Sequence, residues 1–220
     1  QVAPGLMITI FGSGLGPKEG VIMQQRTPGT IATSVAGTKV LFEGMPAPIV
    51  YTSDDQVTAV APYAMFGRIS TSLQVEYLGV LSQKVELRVV DSAPGIFTSD
   101  STGRGQAAIL NEDATPNSPS NPARAGSIVV MFLTGEGQTD PPGSDGKTAD
   151  GILPVPILPV TVRIAGQDAE VLYAGGAPGM IAGVMQLNVR VPDYVPPNNA
   201  AQVMVTVGGG SSQTAATVAI

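Results

Sequence analysis

The sequence predicts an all-β chain folded as two tandem β-sandwiches. Three observations carry that prediction. Apolar residues recur with a period of two. Turn-forming residues punctuate the chain throughout. Four blocks of sequence occur twice in the same order. The 27 glycines and 19 prolines in 220 residues leave little room for long helices.

The period is plain along the chain. In "LMITIFG" Leu6, Ile8 and Ile10 share one face, and in "LQVEYLG" Leu73, Val75 and Tyr77 alternate with Gln74 and Glu76. "KVELRVV", "QLNVRVP" and "QVMVTVGG" repeat the pattern around Val85, Leu187 and Val203. Such alternation buries one face of a strand and wets the other. Clusters of Gly, Pro, Asp and Ser between the runs read as turns.

The internal repeat sets the organisation. "GLMITIFGSGLG" from Gly5 matches "GSIVVMFLTGEG" from Gly126, pairing Phe11 with Phe132, Gly14 with Gly135 and Gly16 with Gly137. "VLFEGMPAPIVY" matches "VRIAGQDAEVLY", pairing Gly44 with Gly166 and Tyr51 with Tyr173. "DQVTAVAPY" matches "MQLNVRVPDY", and "LQVEYLGVLSQ" matches "VMVTVGGGSSQ". The spacing lengthens after the second block, where the second copy carries the extra "AGGAPGMIAG". The expected domains are residues 1–90 and 91–220, the latter opening with an extended connector, 91–125. Within it "GIFT" and "QAAIL" are expected to pair as short strands on the second domain, and "PNSPSNP" to be an extended loop.

Composition excludes several classes. Hydrophobic residues are 43% and charged residues 13%, so the chain forms a core. The net charge is −6 with scattered cations, which argues against a nucleic-acid partner. With no cysteine and no histidine, disulfides, thiolate metal sites and Ser-His-Asp catalysis are absent. No apolar stretch approaches the roughly 20 residues of a membrane span.

The repeated pattern resembles the IPT/TIG family of immunoglobulin-like domains, through "APG…ITIFGSGLG", "VLFEGMPAPIVYTSDDQVTAVAP" and "LQVEYLGV". The whole chain is similar to the C-terminal domains of secreted acidobacterial (Solibacter-type) proteins, through "FGSGLGP", "SAPGIFT", "NSPSNPA", "TGEGQTDPPG", "VLYAGGAPG" and "QLNVRVP". The resemblance implies an immunoglobulin-like pair at the end of an exported, extracellular or cell-surface protein, linked to upstream domains. It implies no activity and assigns no site residue.

Candidate chemistry is sparse. "FGSGLG" has the glycines of a phosphate loop. No long helix follows it, and the Lys-Ser/Thr pair of a Walker loop is missing, so a turn is expected. "SDGK", Ser144 to Lys147, has the S-x-x-K spacing of acyl-transferring serine enzymes but lies in loop composition. Glu136, Asp140, Asp145 and Asp150 form an acidic loop. Its spacing departs from that of an EF-hand, so a solvated loop is the expectation and calcium the alternative. Asp54 and Asp55 read as turn chemistry. "GILPVPILPV" reads as a proline-protected edge strand. The methionines read as core filling.

No catalytic, cofactor-binding or metal-binding residue is assigned, and no cofactor is expected. The expected role is a non-catalytic spacer or interaction module whose partner is a protein or a surface glycan. A carbohydrate-binding module is the alternative and would need an exposed row among Tyr63, Tyr77 and Tyr194. A glycosidase is the further alternative, using two carboxylates of Asp54, Asp140, Asp145, Asp150 and Glu136 facing across a cleft.

Overall fold

The computed structural model describes residues 1–220. It is all-β, with a single 3₁₀ turn at Tyr63–Met65, and no helix is long and apolar enough to cross a membrane. The N-terminal part holds β1 (Met7–Phe11), β2 (Val21–Ile22), β3 (Gln25–Thr27), β4 (Thr30–Ile31), β5 (Thr38–Phe42) and β6 (Met45–Ala47). It continues with β7 (Ile49–Thr52), β8 (Gln56–Val60), β9 (Ser70–Tyr77), β10 (Val80–Leu81) and β11 (Val85–Arg88). The C-terminal part begins with β12 (Gly95–Ile96), β13 (Gly105–Gln106), β14 (Ile109–Leu110), β15 (Ile128–Thr134), β16 (Thr139–Asp140) and β17 (Val155–Pro156). It ends with β18 (Val160–Ile164), β19 (Gln167–Gly176), β20 (Met185–Arg190), β21 (Ala201–Val207), β22 (Gly210–Ser211) and β23 (Ala216–Val218).

β1 to β11 form ladders only among themselves, as do β12 to β23, and a single bridge, Thr30 of β4 to Lys147, crosses between the two sets. In the N-terminal unit one sheet runs β1-β8-β7-β2, and the other runs β10-β9-β5-β6 with β11 also on β9. The alternating residues meet between them: Val40, Phe42, Val57, Ala59, Leu73 and Val75 form the core. The C-terminal unit orders its main strands β15-β20-β19-β18-β21-β23 around Met131, Leu133, Ile164, Leu187, Val203 and Val205. That is the order in which β1, β8, β7, β6, β5, β9 and β11 follow one another across the two N-terminal sheets.

One residue accounts for the chief difference. β19 runs unbroken for 10 residues, pairing with β18 through Gln167–Ala169 and with β20 from Glu170 onward. In the N-terminal unit the same path is cut between β6 and β7 by Pro48, which lacks a backbone N–H and cannot extend a ladder. Glu170 stands at the matching place. Both paths then shift register at matching residues, between Ile49 and Tyr51 and between Val171 and Tyr173. A bulge there turns the strand out of one sheet toward the other.

The glycine-rich turn after β1 is structural. Two of its donors serve the β7–β8 hairpin: Gly12 N–H bonds to Asp55 O (3.0 Å) and Leu15 N–H to Asp54 O (2.9 Å). Gly14 takes φ +68°, and Leu15 drops into the core. Asp55 also accepts from Ser53 Oγ (2.6 Å), so the Asp54–Asp55 pair serves the turn, as its composition predicts.

The 91–125 stretch pairs where "GIFT" and "QAAIL" predict, with β12 and β14 lying antiparallel on β15. β13 adds a parallel contact to β23. In the N-terminal unit Val2 makes a similar parallel bridge to Val89, with Val2 N–H on Arg88 O and Val90 N–H on Val2 O. "PNSPSNP" does more than loop. Asn117 is buried and accepts from Gln106 Nε2 and Ala219 N–H while its own amide donates to Asn111 Oδ1 and Ala219 O, each at 2.9 Å. The edge-strand expectation for "GILPVPILPV" needs correction. Only Val155–Pro156 pairs at an edge, on β16, whereas Val160 opens β18, an interior strand held on both sides. Prolines occupy the first part and cease where the sheet begins.

Asn117→Ala leaves buried partners on both sides without a mate. It is expected to lower unfolding free energy by about 2–3 kcal/mol in urea titration.

Candidate functional site at the junction of the two units

Three groups of residues meet where the units touch. After Pro62 the 3₁₀ turn points Tyr63 toward the C-terminal unit. Its hydroxyl donates to Glu136 Oε1 and its backbone N–H to Asp145 Oδ1, both at 2.9 Å. Beside this pair Met7 N–H donates to Thr134 Oγ1 (2.8 Å). Further along, Ile31 N–H bonds to Gly146 O and Thr148 N–H to Gly29 O, each at 2.9 Å.

An apolar cluster seals the contact. Ile31 and Val60 of the N-terminal unit pack with Ala177, Ile181 and Val184, flanked by Met7, Val50, Phe97 and Phe132. Ala177 and Ile181 lie in "AGGAPGMIAG", the stretch that only the second copy carries, and Val184 follows it. The loop closes on itself through Ala177 N–H to Val184 O. Gly183 takes φ +98° against the Gly5 carbonyl and Val60, where a Cβ would overlap both. The extra residues are thus the part of the second unit shaped to the first.

Glu136 is 4% exposed, and its Oε2 has no partner. Burial pushes its carboxyl up to about 7, opposed by its own backbone N–H and by the Tyr63 hydroxyl. Burial, and then the charge of Glu136, raises the Tyr63 phenol as well. Keeping Glu136 ionised inside the fold costs about 3 kcal/mol. Ile31, Val60, Ile181 and Val184 each contribute roughly 1.5–3 kcal/mol on burial, so the apolar cluster outweighs the carboxylate. A cavity of about 90 Å³ adjoins the pair, lined among others by Tyr63, Glu136, Lys147, Asp150 and Val184.

The acidic loop is therefore split, which corrects the expectation of a uniformly solvated one. Glu136 is buried because the N-terminal unit covers it, while Asp140, Asp145 and Asp150 are exposed, Asp145 accepting from the Tyr63 N–H at the rim of the contact. No three acidic side chains converge as a metal cluster would require. Asp54 lies at the β7–β8 turn and does not join the junction pair. Ser144 and Lys147 share a backbone bond, Lys147 N–H to Ser144 O, in a loop with no helix to align their side chains. The tyrosines do not form one exposed row: Tyr63 is buried in the junction, Tyr77 is half-buried on β9, and Tyr194 is 88% exposed on the other unit. Tyr51 and Tyr173 occupy matching bulges, and Tyr173 OH donates to Gly176 O (2.8 Å).

The Tyr63–Glu136 pair escaped sequence reasoning. Two signals bore on it: the insertion that breaks the repeat, and an acid at Glu136 where the first copy has the core residue Leu15.

Paired antiparallel sheets around one core, with strand order carried across by a bulged strand, define an immunoglobulin-like sandwich. Residues 1–87, which span this architecture in the N-terminal unit, match the family model of the IPT/TIG domain. No curated protein matches the chain.

The sign of the pH dependence follows from Glu136. In the unfolded chain its carboxyl ionises near ~4.3, in the folded chain near 7. Its stabilising contribution is complete below the first value and is lost as pH rises through the second. The chain has no histidine, and Asp145, whose carboxyl burial also raises against the opposing Tyr63 N–H bond, acts in the same direction. Urea midpoints are expected to fall from pH 5 to pH 7.5, and Glu136→Gln to flatten that slope.

Proposed function

We propose that the chain is a non-catalytic tandem of two immunoglobulin-like units, residues 1–90 and 91–220, acting as a rigid spacer and interaction module of an exported protein. The junction is the observation that carries this reading. An insertion unique to the second copy packs five buried apolar residues and a buried Tyr63–Glu136 bond between the units. A flexible linker would need neither. IPT/TIG domains are in general non-catalytic modules that mediate protein interactions, which agrees with the match over residues 1–87. The repeat supports a second copy of the same fold. Export rests on the likeness of "SAPGIFT", "NSPSNPA" and related motifs to secreted acidobacterial proteins.

Two features weigh against the other readings. The junction cavity, about 90 Å³, is far below the roughly 300–1,000 Å³ of small-molecule sites, so it does not admit a glycosyl unit between Glu136 and Asp150, the two carboxylates that line it. With Tyr63 inside the junction, the proposed sugar-stacking row loses a member.

Small-angle scattering tests the rigid pair. The wild-type profile is expected to fit one conformer with the units docked. Ile181→Asp places a charge in the apolar cluster and is expected to broaden the distance distribution while strand content by circular dichroism stays unchanged. A wild-type profile that needs an ensemble of undocked units overturns the spacer reading. Turnover of a glycoside substrate, abolished by Glu136→Gln, overturns the non-catalytic one.

A further inference from the structure

The two units treat one edge differently. In the C-terminal unit β15 is covered on its outer edge: Gly95 and Ile96 pair with Thr134 and Leu133, and Ile109 and Leu110 with Met131 and Val130. Phe97 N–H continues the contact to Phe132 O (3.1 Å). Met131 and Leu133 are fully buried beneath this cover. The matching strand of the N-terminal unit, β1, pairs with β8 alone. Its residues Thr9 to Ser13 correspond to Val130 to Thr134, and there Ile10 is half-buried, while Gly12, Ser13 and Phe11 are exposed, Phe11 at 74%.

The backbone of that edge faces outward. Leu6 O accepts from Ala61 N–H and Gly12 N–H donates to Asp55 O, so the even-numbered residues bond toward β8. The odd-numbered residues turn their N–H and C=O groups away. At Met7 the outward N–H is already taken by Thr134 Oγ1 of the second unit. The edge therefore continues directly from the established junction, with Thr9 and Phe11 next in line.

We infer that the outer edge of β1, from Thr9 to Ser13, is a docking site for an extended apolar segment of another polypeptide, added antiparallel as a further strand. The chain itself shows the chemistry of the occupant. "GIF" and "AIL" do this on β15, placing Ile96 and Ile109 in the core. Main-chain bonds supply the attachment, and the added strand's side chains cover Ile10 from one face and the exposed ring of Phe11 from the other. The inference rests on the units being copies of one fold, and it deepens the reading as an interaction module by naming the surface and the kind of partner.

The test is hydrogen exchange on the full chain, with and without a synthetic peptide of residues 93–111 at about 1 mM, the effective concentration a short linker gives. The peptide is expected to slow exchange of the Thr9 and Phe11 amides at least tenfold, while a scrambled peptide leaves them unchanged. Thr9→Pro removes an outward donor at an edge that tolerates proline. Phe11→Asp keeps the backbone and charges the exposed position. Each is expected to reduce peptide protection of the remaining edge amides at least fivefold. Exchange indifferent to the peptide in the wild-type chain overturns the inference. So does protection that rises with protein concentration in the absence of peptide, which assigns the edge to a second copy. Exchange at β1 and scattering from the docked pair are separate readouts, so this inference and the spacer reading fail separately.

Discussion

The packing of Ile31 and Val60 against Ala177, Ile181 and Val184 is the contact on which the two-unit arrangement depends. Beside it Tyr63 and Glu136 are buried, and in water their hydrogen bond would compete with solvent and be worth little. The apolar cluster comes first energetically, and the polar pair gives it orientation. A phenol donating to a buried carboxyl fixes direction, which a patch of aliphatic side chains cannot do alone. The cost is a buried acid whose second oxygen lacks a partner. That cost makes the contact sensitive to proton concentration near neutrality.

The architecture was legible because alternation is a local property. Leu73, Val75 and Tyr77 announce their face from neighbouring residues, and the structure puts Leu73 and Val75 in the core. The expectation of two copies of one fold followed from the repeat. "FGSGLG" is a turn, as the missing helix and Walker residues lead one to expect: Gly14 takes a positive φ, and Gly12 and Leu15 N–H bond to the adjacent hairpin. The proline-rich "GILPVPILPV" was harder. Apolar composition is shared by edge and interior strands, and only the partner strands β19 and β21 reveal that Val160 begins the latter.

The junction was not legible, for a physical reason. Glu136 sits among Asp140, Asp145 and Asp150 in a stretch whose composition is that of a wet loop. What buries it is a surface more than seventy positions away in sequence, at Tyr63. Side-chain type does not encode such a contact. The insertion did mark it, because residues added to one copy of a repeat must answer to something the other copy lacks. Here that something is a neighbour on its N-terminal side.

The parallel bridge between Val2 and Val89 has a mechanical meaning. The chain enters the N-terminal unit beside the strand by which it leaves, and both run in the same direction. A pull on the two ends drags these segments past each other. The bonds from Val2 to Arg88 and from Val90 to Val2 are then loaded in shear and share the force, in contrast to a hairpin that opens like a zipper. A module held between neighbouring domains in this geometry resists extension along its axis through its first and last hydrogen bonds acting together.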